Sequence, residues 1–302
     1  MALAPCQTAV DSSGRELVEH GTTGLPVACY HDDLGRRDVP WHWHDELEAA
    51  VVTEGCAVVS AGESKRVIRA GEGFFINSGI LHGCRDADNS SCRFHSVVFH
   101  PRLVGGSLDS TIYQHYVQPL TENHALEFLR LSGEEPWQRS ALEAIEESWQ
   151  ACRTELYGYE FRIRDALSRL VLLLQQNGPV QQAQPGVRTL RNGERIKVML
   201  QFVHDHYSDE VTMGQIAASA AVSESECLRC FRATVDTTPI RYLRQYRIRQ
   251  AARLLCHTEE RISDIASRCG FQDMSYFTKS FREQLGCTPT EYRRRAERPE
   301  RS

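Results

Sequence analysis

The stretch QIAASAAVS (215–223) has a counterpart in DIASRCGFQ (264–272), and this pairing decides how the second half of the chain is read. Ile216 and Ala217 match Ile265 and Ala266 at an offset of 49. Phe231-Arg232, Thr238-Pro239 and Tyr242 match Phe281-Arg282, Thr288-Pro289 and Tyr292 at an offset of 50, so one residue is added just after the turn of the second copy. Two copies are too few for a solenoid and mark a duplicated supersecondary unit. Each copy reads as helix, tight turn, helix. The alanine after the isoleucine is small where two helices cross, and Gly270 sits at the tightest point of the second turn, where the first has Ala221. Val222 and Phe271 plug the angle between helices; Phe231 and Phe281 fix the second helix to the core. The pattern predicts helix-turn-helix motifs at about 213–234 and 262–284, joined by a long helix over 240–255. Such a motif offers its second helix to the major groove.

Upstream, NGPVQQAQPGVRTLRNG (177–193) has two prolines, three glycines and no apolar period. It reads as a linker over 178–193. Before it, Leu142, Ile145, Trp149, Cys152 and Leu156 repeat at steps of three and four, and Phe161, Leu167, Leu170, Val171 and Leu174 form a second apolar face. Residues 136–177 are therefore expected to be two helices, packed internally or pairing two copies of the chain. A homodimer through the helices of 137–174 and the barrel is the expectation carried forward. Residues 1–135 contain short β-branched and aromatic runs with Gly, Asn and Ser turns, the pattern of an antiparallel barrel or jelly roll. The fold class expected is multidomain α+β: a β-barrel followed by helices, then an all-α domain over 194–295.

Composition narrows the function. The net charge of −5 divides into +4 for 195–302, where 18 Lys/Arg face 14 Asp/Glu, and −9 for the rest, where 17 face 26. The basic residues of the second half are nearly all arginine, suited to bidentate contacts with phosphates and base edges. No apolar run approaches bilayer length and the first residues carry no basic cluster, so a cytoplasmic protein with no membrane partner is expected. Eleven cysteines, odd in number and scattered, are expected to be reduced. Cys227 and Cys230 form a CxxC inside an apparent helix without a second ligand pair, and read as small buried hydrophobes rather than a zinc site.

The segment RISDIASRCGFQDMSYFTKSFREQLGCTPTEYRRR closely resembles the signature of AraC/XylS-type transcription regulators, and VTMGQIAASAAVSESECLRCFRATVDTTPIRYLRQYRIRQAARLL is similar to the first half of the same DNA-binding domain. The resemblance implies double-stranded DNA as partner, with both second helices entering successive major-groove segments. Carried over by position, the base-facing residues are Ser225, Leu228 and Arg229, then Met274, Ser275, Tyr276, Thr278 and Lys279. The side chains allow this: Arg229 and Lys279 can donate to guanine, and Leu228 can meet a thymine methyl. Arg232 and Arg282 suit phosphates. Glu224, Glu226 and Asp273 near the same surface weigh against tight non-specific binding.

One stretch of the first domain carries chemistry-capable residues. PWHWHDELEAAVVTEG (40–55) gives His-x-His-x3-Glu-x6-Gly, and Gly71 opens Gly-x5-Asn-x-Gly-x2-His ending at His82. These resemble the two motifs of the cupin barrel, with Asn77 where proline is usual and Asp86 where asparagine is frequent. In catalytic cupins the residues matching His42, His44, Glu48 and His82 bind a metal. Imidazole and carboxylate ligands suit Fe, Mn, Ni or Zn. Fused to a DNA-binding domain, the same residues read first as the pocket for a small-molecule effector, with no metal, no cofactor and no catalysis. A metal-sensing regulator and a metal-dependent cupin enzyme fused to a DNA-binding domain are the alternatives. Trp41, Trp43, Phe74, Phe75 and His95 are expected at the pocket mouth or in the core.

Overall fold

In the computed structural model, which describes residues 10–11, 14–35, 38–88, 91–179 and 187–296 (side chains of 187–192 and 295–296 excepted), the short apolar runs of the first half are strands. They are β1 (Val27–Asp33), β2 (Val39–His42), β3 (Leu47–Glu54), β4 (Cys56–Ala61), β5 (Ser64–Arg69), β6 (Gly73–Ile76), β7 (His82–Asp86), β8 (Arg93–Phe99) and β9 (Phe128–Leu131). Among the described residues they form a five-stranded sheet, order β1-β8-β3-β6-β9, and a four-stranded sheet, order β2-β7-β4-β5, with every pairing antiparallel.

Alternation along the five-stranded sheet serves two cores, because successive side chains point to opposite faces. Val27, Cys29, Leu47, Ala49, Phe75, Val97 and Phe99 face a helical layer. Ala50, Val52, Phe74, Ile76 and Phe94 face the other sheet and meet Ala57, Val59, Ala61, Ile68 and Cys84. The helical layer follows α1 (Arg102–Gly105), a π-helical turn (Tyr113–Val117) and α2 (Gln118–Thr121), and consists mainly of α3 (Pro136–Thr154) and α4 (Tyr159–Asn177).

The spacing of α3 that suggested a dimer seam is an internal one. Ile145, Trp149 and Cys152 are buried in the core shared with the sheet. The Trp149 indole N–H donates to the Tyr30 carbonyl at 2.7 Å, and its ring stacks on His95 with centroids 3.5 Å apart. Leu142 packs beside Gly73. Leu156 lies beyond the helix and is 60% exposed; Phe161, assigned to the apolar face of the next helix, is 81% exposed. The physical reason is that one apolar stripe serves a sheet as well as a second helix, and periodicity alone cannot tell them apart. Cys29 on β1 and Cys152 on α3 form a disulfide with Cα atoms 6.4 Å apart, which corrects the expectation that all thiols are reduced.

The chain divides into two units between Glu194 and Arg195. The linker expected over 178–193 is only partly irregular, since α5 (Val187–His206) begins inside it; residues 180–186 lie outside the described set. The second unit continues with α6 (Met213–Ser219), α7 (Glu224–Thr234), α8 (Pro239–His257), α9 (Ile262–Arg268), α10 (Met274–Leu285) and α11 (Pro289–Ala296). Thr212 and Gln215 form a capping box that starts α6, and Thr238 with Pro239 starts α8. Ile248, Leu255, Ile265, Phe271, Phe277 and Phe281 make the core of the second copy. Gly270 adopts φ +79°, and a Cβ there would lie 2.7 Å from the Tyr207 carbonyl oxygen. Ala221 takes the same left-handed region at φ +52°, where a Cβ is tolerated at a cost of about 1–2 kcal/mol.

An internal seam has a measurable consequence. Trp149→Ala should lower stability by about 3–5 kcal/mol, the usual cost of truncating a buried tryptophan. Denaturant titration checks this, and sedimentation of the folded variant should match the wild type. Full stability with a changed sedimentation coefficient would place Trp149 between subunits instead.

Candidate functional site

His42, the last residue of β2, lies directly opposite His82, the first residue of β7, and their rings are 4.1 Å apart. Glu48 comes from β3 in the other sheet, on the interior face with Ala50 and Val52. Strand pairing therefore does not bring Glu48 to His82, since β3 and β7 belong to different sheets. The two sheets meet face to face, and Glu48 Oε2 lies 2.9 Å from His82 Nε2. His44 sits just past β2, because Trp43 leaves the strand to bridge Arg15, yet its ring reaches the same point. All four residues are buried, and one ligand atom from each lies within 4.8 Å of the others.

The backbone sets the tautomers. His42 Nδ1 donates to the Pro40 carbonyl at 2.8 Å, His44 Nδ1 to the Glu46 carbonyl at 3.2 Å, and His82 Nδ1 to the Ile80 carbonyl at 2.7 Å. A carbonyl only accepts, so each Nδ1 carries the proton and a neutral ring turns the lone pair of Nε2 inward. His44 Nε2 is 3.5 Å from Glu48 Oε2 and is buried with no hydrogen-bond partner. Burial, then the neighbouring His82 and His44, hold the His42 pKa well below the ordinary imidazole value, so that ring stays neutral. Burial would raise the Glu48 carboxyl, but the imidazoles of His44 and His82 aimed at it hold it well below the usual carboxylate range. Burial likewise disfavours charge on His82, and its hydrogen bond to Glu48 outweighs this and raises its pKa.

The donor set fits a divalent transition ion. Three imidazole nitrogens and a carboxylate converge, each ring is held by a hydrogen bond from its other nitrogen, and one buried nitrogen is without a partner. Size points the same way. The cavity is about 40 Å³, and at about 10–15 Å³ per water it holds roughly three waters, whereas sites for drug-sized ligands run to about 300–1,000 Å³.

The sequence reading missed several lining groups: Glu16, His20, Tyr30, Asp32 and Ser96. Glu16 and His20 lie in a segment with no period to mark it, and Tyr30, Asp32 and Ser96 sit on strands whose other polar residues do not line the cavity. Of the aromatic candidates, Phe74 lines the cavity, Phe75 faces the helices, and His95 packs on Trp149 with Nδ1 2.8 Å from Glu146 Oε2. Trp41 and Trp43 do not line it. Cys227 and Cys230 are buried in α7.

In the second unit the two second helices of the motifs are α7 and α10. Ser223 caps α7 by accepting from the Glu226 amide, and Asp273 caps α10 by accepting from the Tyr276 amide at 2.8 Å. One face of each is buried through Cys227, Cys230 and Phe231, or Phe277, Ser280 and Phe281. The opposite face carries the singled-out residues. Ser225, Arg232, Met274, Ser275, Tyr276, Lys279 and Arg282 are exposed; Leu228, Arg229 and Thr278 are partly so. Met274, Ser275, Thr278, Lys279 and Arg282 line one shallow groove along α10. Arg229 is not loose. Its Nε donates to Glu226 Oε2 at 3.0 Å and its Nη2 to Glu226 Oε1, while Arg195 Nη1 lies 3.3 Å from that second oxygen. Glu226 thus orients the guanidinium.

Two family models match the chain: one described as an AraC-like ligand binding domain over residues 24–147, and a helix-turn-helix domain over residues 216–295. The uncharacterized HTH-type transcriptional regulator YdeC of Bacillus subtilis is 32% identical over 288 residues, covering 94% of this chain and 97% of that protein. The HTH-type transcriptional activator RhaS of Escherichia coli is 24% identical over 285 residues, covering 91% and 95%. Among solved structures, the DNA-binding domain of the global transcriptional factor AdpA, in complex with a target DNA, is 31% identical and covers 35% of this chain and 96% of its own, with a TM-score of 0.33. With a relative of that identity along almost its whole length, and both halves matched, this chain belongs to the AraC family of transcriptional regulators.

Proposed function

We propose that the polar faces of α7 and α10 read DNA sequence in this regulator, and that the cluster of His42, His44, Glu48 and His82 receives the signal controlling it. The duplicated helix-turn-helix, with both second helices capped and polar on the outward face, is the observation that carries the output half. Arg229 and Lys279 read bases, and Arg232 and Arg282 hold the phosphates. Such a protein works in the cytoplasm as a receptor without turnover of its own, as the relatives named transcriptional regulators support. A homodimer belongs to this reading. It forms away from the buried seam of α3, on the hairpin surface where Tyr157, Phe161 and Leu172 stay exposed.

On the input side, a small effector is the reading carried from the sequence, and the convergence of three imidazole Nε2 atoms and the Glu48 carboxylate favours a second one. In that reading a divalent transition ion is bound by His42, His44, His82 and Glu48, as the signal or as its anchor. Bound there, it would act as a Lewis acid toward an anionic or oxygen-donor ligand. The protein's part is to hold the three rings by their Nδ1 hydrogen bonds and to keep the site dry.

Both halves have direct tests. Arg229→Ala and Lys279→Ala should each weaken operator binding by about 1–3 kcal/mol and relax discrimination at different base pairs. Binding-site selection with each variant checks this; loss at one shared base pair contradicts reading by two helices. Protein purified without a polyhistidine tag should contain about one equivalent of a transition metal by elemental analysis, lost in His44→Ala and His82→Ala while DNA binding persists. Metal far below one equivalent, with no uptake of added Zn²⁺, would leave the metal-free effector pocket as the input.

A further inference from the structure

Arg195 lies outside both helix-turn-helix motifs, yet it is tied to the residue that holds Arg229. It stands on α5 next to the fully buried Ile196, and its Nη1 lies 3.3 Å from Glu226 Oε1. Glu226 starts from an equally fixed point, since Cys227 beside it is buried. Its carboxylate accepts from Arg229 Nε on Oε2 at 3.0 Å and from Arg229 Nη2 on Oε1, so Oε1 joins the two guanidinium groups. The far end of α5 is anchored as well. Arg247 of α8 donates through Nε to the Tyr207 carbonyl and through Nη2 to the Asp209 carbonyl, both at 2.6 Å. His204 Nε2 lies 2.8 Å from the Tyr242 hydroxyl.

The place of Glu226 in its helix makes this contact informative. It is the third residue of α7, after the cap Ser223, where a glutamate or glutamine commonly turns back to the amide of the cap residue. Gln215 of α6 and Glu291 of α11 do so, accepting from the Thr212 amide at 2.9 Å and the Thr288 amide at 2.7 Å. Glu226 directs both carboxylate oxygens to arginines. Salt bridges as exposed as these add little to stability, so the effect of the contact is geometric. A grip through Nε and Nη2 takes the side edge of the guanidinium. Guanine O6 and N7 accept from the end edge, Nη1 and Nη2, so one arginine can make both contacts. A carboxylate on the same helix keeps its own rotamer freedom, and a cation from a second, anchored helix removes it. Resting on the reading of Arg229 as a base contact, we infer that Arg195 is a specificity-determining residue of this regulator. It fixes Glu226, Glu226 fixes the guanidinium, and discrimination at the base pair read by α7 depends on α5.

The probe is the duplex recovered by binding-site selection with the full-length wild type, together with its single-base-pair variants. Affinities are measured by fluorescence anisotropy at several salt concentrations for wild type, Arg229→Ala, Arg195→Ala, Arg195→Gln, Arg195→Lys and the double variant Arg195→Ala with Arg229→Ala. Far-UV circular dichroism checks that each is folded. Arg195→Ala should lower discrimination about two- to tenfold at the base pair that Arg229→Ala relaxes, as expected from freeing one long side chain. Arg195→Gln should repeat that loss, and Arg195→Lys should restore most of it. In the double variant the loss at that base pair should equal that of Arg229→Ala alone, because residues acting through one contact are not additive. Equal weakening on every duplex, with the salt slope reduced by about one, would make Arg195 a phosphate contact and overturn the inference. Unchanged discrimination in Arg195→Ala and Arg195→Gln would overturn it too, while leaving Arg229 as a reader. An Arg229→Ala variant that relaxes no base pair would overturn the reading of Arg229 and the inference together.

Discussion

Strand β3 sends Leu47 and Ala49 toward the helices and Glu48 and Ala50 toward the four-stranded sheet, and the sensory unit depends on that division. A slip of one residue in its pairing would turn Glu48 into the apolar layer around Trp149 and empty the pocket of its carboxylate. Neighbours on both sides prevent this: Glu48 is registered against Ile76 of β6 and against Val98 of β8. The site draws Glu48 from one sheet and His42 and His82 from the other. It therefore exists only while the two sheets are stacked, and α3 and α4 keep the outer face of the larger sheet dry. Fold and pocket rest on the same alternation.

In the second unit the two reading helices differ in how firmly they hold their cations. Arg229 is gripped by Glu226 through two hydrogen bonds, and Arg195 shares that carboxylate. The planar guanidinium is thereby pre-oriented, which reduces the entropy lost on meeting a base edge. Lys279 extends from the exposed face of α10 on a flexible stem and behaves as a point charge. The Glu226 carboxylate thus holds both guanidinium groups, Arg229 through two hydrogen bonds and Arg195 through one.

How much of this could be read beforehand follows from the range of the interactions involved. The helix-turn-helix pair was legible because its determinants are local: Gly270 in its turn, Phe281 three turns on, and a repeat that supplied its own control. His42, His44, Glu48 and His82 were legible by residue type and spacing, but the way they meet was not. Cross-sheet contact between Glu48 and His82 depends on sandwich packing, which leaves no short-range mark. The seam of α3 left internal packing and pairing of two copies both open, because apolar spacing records burial and not the partner that causes it. Glu16 and His20 were invisible, since neither composition nor period distinguishes a polar pair folded over a pocket from one left in water. The disulfide of Cys29 and Cys152 joins residues 123 apart, beyond anything spacing could suggest.

The pocket is costly as it stands. Three imidazoles are committed by their Nδ1 bonds to presenting acceptors, and they face a carboxylate that can only accept. One proton between Glu48 and His82 satisfies that pair. It does little for His44 Nε2, which is buried 3.5 Å from the same carboxylate without a well-formed hydrogen bond. An unsatisfied buried polar group costs about 1–3 kcal/mol, comparable with much of the few kcal/mol by which a domain is stable. An apolar filling of the same volume would be more stable, as replacement of buried charged groups often is. Local rules broken without compensation inside a well-packed fold are expected at functional sites. A ligand that supplies positive charge to several acceptors at once removes the conflict, and its binding energy stabilises the folded sensory unit by mass action.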